Sequence, residues 1–261
     1  MRTALKTILL SALALSFHAP AALAHFGMAI PSASVIETQE DAAITVTFAF
    51  VHPMEGEGMT LAAPEAVQAV CDGESTDLVP LLKTVKVMDH DAFAVDWKAA
   101  KPGVYQFAMT PVPYWEPAED CFIRHYTKTV ISAFGEEEGW DEPVGLKTEI
   151  VPLTRPFANY AGNVFLGKVL LDGKPVAGCD VEVEYYNRDG KYEAPNSLLV
   201  TQVVKTDDNG VFAYAAPFAG WWGFAALNTA EEKMSKDGEE KDIELGAVLW
   251  TEFFDPKPVS K

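Results

Sequence analysis

Positive charge is scarce in this 261-residue chain: 20 Lys and Arg stand against 38 Asp and Glu, for a formal net charge of −18. Such a surface repels a phosphate backbone and concentrates cations near itself, which argues against nucleic acid as a partner. Long apolar runs are also scarce. After residue 24 no stretch approaches the ~20 residues of a membrane span, so that part of the chain is not expected to be membrane-embedded. Cysteine is limited to Cys71, Cys121 and Cys179. None lies in a C-x-x-C pair, which disfavours a structural zinc site built on thiolates. In an oxidising compartment a Cys71–Cys121 bridge is one arrangement open to the chain, leaving Cys179 alone at a buried strand position in "AGCDVEV".

Catalytic signatures are thin as well. There is no G-x-S-x-G elbow, Ser32 and Ser34 have no His–Asp order around them, and no glycine-rich turn leads into a phosphate-cradling helix. Glu116 and Glu119 have the makings of an acid–base pair, but in a chain this acidic they read as surface charge. Histidine is sparse too, at five residues.

The N-terminus is informative. A basic start (Arg2, Lys6), the apolar run "TILLSALALSF" and the small pair Ala22-x-Ala24 have the layout of a secretory signal peptide over residues 1–24. No cysteine follows the run, so a lipoprotein anchor is not expected. Cleavage after Ala24 would remove two positive charges and leave His25 as the first residue, with a free α-amine beside its imidazole.

From residue 25 the sequence reads as short strands. "AITVTFAFVH" alternates Ile44, Val46, Phe48 and Phe50 on one face. "GVYQFAM", "CFIRHYTKTVISA", "NVFLGKVLLDGKPV", "CDVEVEYYN" and "GWWGFAAL" follow, separated by Pro, Gly, Asn and Asp. The expected class is all-β, with two Ig-like β-sandwich domains in tandem after the leader. The first covers 25–155 and the second 156–261, divided by the aperiodic stretch "WDEPVGLKTEIVPLTRPF". Asp-Gly and Asn-Gly pairs in the second half mark turns between strands. The charged segment at 229–244 reads as a solvated loop or short helix.

Beyond the leader His25, His52, His90 and His125 remain, all in the first half. His52 ends a strand with the parity of Phe48 and Phe50, which puts its ring at the rim of a sandwich where loops gather. His125 lies in a strand behind "PYWEPAEDCFIR", rich in aromatics and carboxylates. Together with His25, whose amine and ring nitrogen form a chelate, His52 and His125 make a nitrogen-rich set suited to Ni²⁺ or Cu²⁺, with Co²⁺ also possible. Met28, Met54 and Met59 would suit Cu(I).

At "PYWEPAEDCFIRHYTK", "GWDEPVGLKTEIVPLTRP" and "KTDDNGVFAYAAPFAGWWGFAAL", with "HFGMAIPS" and "VHPMEGEGMTLAAP" nearer the start, the chain resembles the periplasmic accessory component of bacterial nickel transporters of the energy-coupling-factor type, long catalogued as a domain of unknown function. The resemblance implies a periplasmic, non-enzymatic protein that captures Ni(II) and delivers it to the membrane transporter subunits of a nickel importer, with the family's histidines falling on His25, His52 and His125. His90 belongs to no motif of that kind. The alternatives are a periplasmic copper-binding protein, a copper-dependent oxidase using an N-terminal histidine brace with Tyr114–Trp115 as a sugar platform, or an adhesin-like structural module.

Overall fold

The computed structural model describes residues 24–259. Apart from Ala24, the signal peptide expected at 1–24 lies outside the described residues. The first strands in chain order are β1 (Phe26–Pro31), β2 (Val35–Ile36), β3 (Ala43–His52), β4 (Glu57–Met59), β5 (Ala66–Cys71) and β6 (Glu74–Asp77). Then come β7 (Lys83–Val87), β8 (His90–Lys98), β9 (Gly103–Thr110), β10 (Tyr114–Glu116) and β11 (Cys121–Ala133). The second half holds β12 (Thr148–Pro152), β13 (Asn159–Tyr160), β14 (Val164–Leu171), β15 (Lys174–Pro175) and β16 (Asp180–Tyr185). It ends with β17 (Gln202–Lys205), β18 (Val211–Ala215), β19 (Gly220–Thr229), β20 (Met234–Lys236), β21 (Glu239–Lys241) and β22 (Ile243–Phe254). The chain is all-β, as its alternation predicts: among the described residues only two single turns of 3-10 helix, Val79–Leu81 and Ser197–Leu199, interrupt the strands.

One five-stranded sheet runs β1-β3-β8-β7 with β4 beside β3. A second sheet of eleven strands follows the path β17-β16-β19-β22-β11-β9-β5-β6. A third runs β12-β14-β15 with β18 on β14. The eleven-stranded sheet is shared by two sandwiches. Against the first sheet it closes a core of Ile44, Val46, Phe48, Phe50, Phe107, Met109 and Ile131. Against the third it closes one of Ile150, Phe165, Val181, Phe212, Phe224 and Leu249. Alternation along a strand makes the sharing possible: on β9, Tyr105 and Phe107 enter the first core while Val104 turns to the second.

The two halves meet along a parallel pairing of β11 with β22, from Phe122↔Ile243 to Thr129↔Trp250. A further apolar cluster of Phe26, Met28, Val51, Val248 and Trp250 covers the join. There the Trp250 Nε1–H donates to the Gly27 carbonyl at 2.8 Å. The aperiodic stretch expected to divide the halves contains β12, which lies before residue 155 but pairs with β14 from Thr148↔Leu171 to Pro152↔Gly167. Its five residues are all buried, so the strand carries no period-two signal. Likewise the Asn209-Gly210 turn leads from β17 to β18, which lie in different sheets, whereas Asp172-Gly173 closes the β14–β15 hairpin with both residues at positive φ.

No Cys71–Cys121 bridge forms; all three cysteines are free. The sheet register explains why. Val70 pairs with Gln106 and Gln106 with Val130, so Cys71 lies beside the far end of β11 from Cys121. Val130 lies nine steps along β11 from Cys121, roughly 30 Å, against the ~7 Å upper limit for bridged Cα atoms. Cys179 is buried as expected, its thiol directed at the Leu227 carbonyl at 3.2 Å.

Trp222 on β19 is 2% exposed, packs on Tyr185, Tyr214 and Phe218, and donates from Nε1 to the Phe218 carbonyl at 3.0 Å. Trp222→Ala should therefore lower unfolding stability by about 3–5 kcal/mol in denaturant melts. The metal stoichiometry of the folded fraction should not change.

Candidate metal centre

β1 and β3 run antiparallel, with Phe26 opposite Val51. Continuing that register by one residue sets His25 opposite His52, the last residue of β3. The two rings lie 4.7 Å apart between centroids. Phe50, two residues before His52 on the same face, holds the group together. His25 stacks on it at 5.5 Å, His125 meets it edge-on at 5.8 Å, and Tyr114 packs against it at 5.2 Å. All three histidines are buried: His25 is 8%, His52 7% and His125 2% exposed. His90 is exposed at the start of β8 and does not join them.

Two glycines make room for His125. It pairs with Gly246 across the β11–β22 seam, where an added Cβ would run into the imidazole. On the other side a Cβ on Gly27 would collide with the Thr127 hydroxyl and press on the His125 Cβ. A cavity of about 150 Å³, lined by Phe50, Leu61, Met109, Tyr114 and His125, adjoins the cluster.

Hydrogen bonds define what each ring can offer. His25 Nε2 lies 2.9 Å from Glu116 Oε2. Because a carboxylate only accepts, Nε2 carries the proton and the Nδ1 lone pair is left free. Nδ1 is the ring nitrogen that can chelate a metal together with the α-amine of the same residue. His52 Nδ1 lies 2.9 Å from the Ala24 carbonyl oxygen, so it donates there and keeps its Nε2 lone pair. His125 Nε2 donates to Glu244 Oε1 at 3.1 Å, and its Nδ1 accepts a long 3.4 Å bond from the Gly27 N–H. The Nδ1 atoms of His52 and His125 thus face the main chain on either side of residues 25 and 26.

Carboxylates ring the cluster. Glu119 Oε1 is 3.9 Å from His25 Nδ1. Burial, together with the neighbouring Glu244 and Glu116, raises its carboxyl above the ordinary range. Burial and then the carboxylates Glu244, Glu119 and Glu116 push the Cys121 thiol up to about 12, which leaves it protonated at neutral pH and a poor soft ligand. Glu116 and Glu119, expected to be surface charge, are a hydrogen-bond partner and a close neighbour of His25. Glu244, the last residue of the segment expected to be a solvated loop or helix, is on β22 and holds His125. Within that segment Met234–Lys236 and Glu239–Lys241 form the β20–β21 hairpin, while Thr229 ends β19 and Ile243 begins β22.

Among the described residues no three His, Cys, Asp or Glu side chains form a ready-made metal cage. The rings are gathered but tied by hydrogen bonds, with the Ala24 peptide still attached to His25. Tyr114 and Trp115 do not form an exposed platform. Both are half-buried on β10, and Trp115 packs edge-on against Phe122 at 5.0 Å. Met28 is buried with Phe26 and Trp250, away from a ligand role.

Burial first, then repulsion from His52 and His125, lowers His25 from 6.5 to about 4, against the opposing pull of Glu116. The ring is neutral at neutral pH and its lone pair is available. The unfolded chain takes up this proton near 6.5 and the folded chain only near 4. His25 therefore contributes stability to the metal-free protein that is complete above pH 6.5 and is lost as pH falls from 6.5 towards 4. Glu182 and Glu184, whose carboxyls burial raises to about 7 and about 8, contribute the opposite slope, so the His25 part is read as the difference between parent and His25→Gln in urea melts at about pH 7 and about pH 5.

No curated protein matches the chain. Among solved structures, the D0-D1 domain of intimin is 13% identical over 86% of this chain and 99% of its own, with a TM-score of 0.24. The adhesin InvE of Yersinia pseudotuberculosis is 10% identical over 85% of this chain and 58% of its own, with a TM-score of 0.23. A two-domain fibronectin type-III segment of chicken tenascin is 11% identical over 86% of this chain and 98% of its own, with a TM-score of 0.21. Superpositions this loose carry no argument for either fold or function. The family described as "Domain of unknown function (DUF4198)" matches residues 22–230, most of the chain, and the chain belongs to that family.

Proposed function

We propose that this protein is a periplasmic carrier of a divalent transition metal, with Ni(II) as its cargo, exported through a cleaved leader and delivering the ion to the membrane subunits of an energy-coupling-factor nickel importer. One observation carries the binding part of this reading: three buried histidines gather together, His25 and His125 on the Phe50 ring and His52 against His25, and two of them direct Nδ1 at the main chain flanking His25 and Phe26. Release of the chain before His25 would place a free amine among these rings. The amine and Nδ1 of His25 with one nitrogen each from His52 and His125 would supply four nitrogen donors, a set suited to Ni(II) or Cu(II). Glu116 and Glu244 would act as outer partners that fix ring orientation, and Glu119 adds negative charge beside them. Delivery to a nickel importer rests on the sequence resemblance alone.

A copper reading has one observation in its favour. The His25–His52 pair, 4.7 Å apart between ring centroids, is the kind of pair a histidine brace uses. Titrating chain that begins at His25 with Ni²⁺, Co²⁺, Cu²⁺ and Zn²⁺ tests both. Tight one-to-one Ni²⁺ uptake supports the carrier, and no uptake of any ion overturns it. Peroxide production by the copper-loaded protein with a reductant would favour the oxidase.

A further inference from the structure

The turn that follows His52 is held by the second half of the molecule. The Glu184 carboxyl on β16 accepts the Met54 N–H through Oε2 at 3.1 Å. Asn187, just beyond β16, makes two more bonds to the same turn: its N–H donates to the Pro53 carbonyl at 3.1 Å and its Nδ2 to the Met54 carbonyl at 3.1 Å. Both side chains are themselves fixed. The Thr201 hydroxyl bonds Glu184 Oε1. Asn187 closes a loop with Tyr192, donating from Nδ2 to its carbonyl at 2.8 Å and accepting its N–H on Oδ1 at 3.2 Å. Within the turn itself there is the Gly56 N–H to His52 carbonyl bond at 3.1 Å.

We infer that Glu184 and Asn187 are positioning residues for the His52 ligand, clamping the main chain directly after it so that the imidazole stays opposite His25. The inference rests on the metal-carrier reading. A chain end of a strand such as His52 is otherwise free to move with the loop it enters, and a donor displaced by a fraction of an ångström binds poorly. A carboxyl that is 1% exposed is costly unless its oxygens are used, and here both are. Burial raises the Glu184 carboxyl to about 8, so it is largely neutral at pH 7 and glutamine is a close mimic. The two residues lie more than 125 positions from His52 in sequence, so they tie the second half to the geometry of a site whose histidines all come from the first.

The test uses the full chain beginning at His25. Glu184→Ala and Asn187→Ala should weaken Ni²⁺ binding by roughly ten- to a hundredfold, and Glu184→Gln, which keeps an acceptor for the Met54 N–H, should bind like the parent. In metal-free protein the His52 ring resonances should move in the alanine variants while those of His125 stay in place. A merely structural role would not split the histidines in this way. Should Asn187→Ala fail to fold, Asn187→Asp keeps the acceptor for Tyr192 but cannot donate to the Met54 carbonyl, and it carries the same expectation. Folded variants with parental affinity and unmoved His52 resonances would overturn the clamp. If the parent chain takes up no Ni²⁺, the carrier reading fails, and the metal-free His52 resonances still decide whether the clamp exists.

Discussion

Replacing His52 or His125 by alanine should weaken Ni²⁺ binding by at least roughly a hundredfold, above the ten- to hundredfold that loss of an outer partner costs, whereas His90→Ala should leave it nearly unchanged. His125 is buried against Phe50 and His52 against His25, while His90 is exposed at the start of β8. Removing either buried ring takes away a nitrogen that no neighbour can replace, because the remaining nearby donors are carboxylates and a protonated thiol. Gly246→Ala should mimic His125→Ala without touching a histidine, since the new Cβ claims the space of the imidazole. Isothermal titration with Ni²⁺, paired with circular dichroism to confirm the fold, checks the series. Equal losses from His52→Ala, His125→Ala and His90→Ala would mean that the site has been misplaced.

The difference between what was legible in the sequence and what was not follows the range of the interactions. The strands "AITVTFAFVH" and "CFIRHYTKTVISA" coincide with β3 and β11: β3 displays its period over its first half, and β11, buried along most of its length, shows as a long run rich in β-branched and aromatic residues. The same parity put His52 at the rim beside Phe50. β12 escaped notice because its five residues are all buried, leaving no alternation, and so short a run ending in Pro152 carries no compositional signal either. The parallel seam joining β11 to β22 escaped for another reason. Its partners lie about 120 residues apart, and nothing local records such a pairing. Glu244 was hidden by both effects: it closes a charged stretch that looks solvated, and only the seam brings it to His125. Glu116 and Glu119 had a signal, two carboxylates in an aromatic segment a few residues before His125, but composition alone makes surface charge the default in so acidic a chain.

Chain that begins at His25 should bind Ni²⁺ at least roughly a hundredfold more tightly than chain that begins Met-His25, with the same circular dichroism spectrum. Two changes act together. An added residue turns the α-amine into an amide, whose nitrogen has no lone pair to give, and the chelate with Nδ1 is reduced to a single bond. The same residue supplies a carbonyl where Ala24 has one, and that carbonyl accepts the His52 Nδ1–H at 2.9 Å in the extended chain. His52 is then held to the peptide instead of being free to turn towards the metal. The His25 imidazole and its bond to Glu116 are unaffected by the extra residue. An exported, cleaved chain and a matched chain carrying the extra methionine, titrated side by side, decide the matter. Equal affinities would remove the amine from the ligand set and leave a site built from side chains alone, one in which cleavage of the leader has no part in making the protein competent to bind.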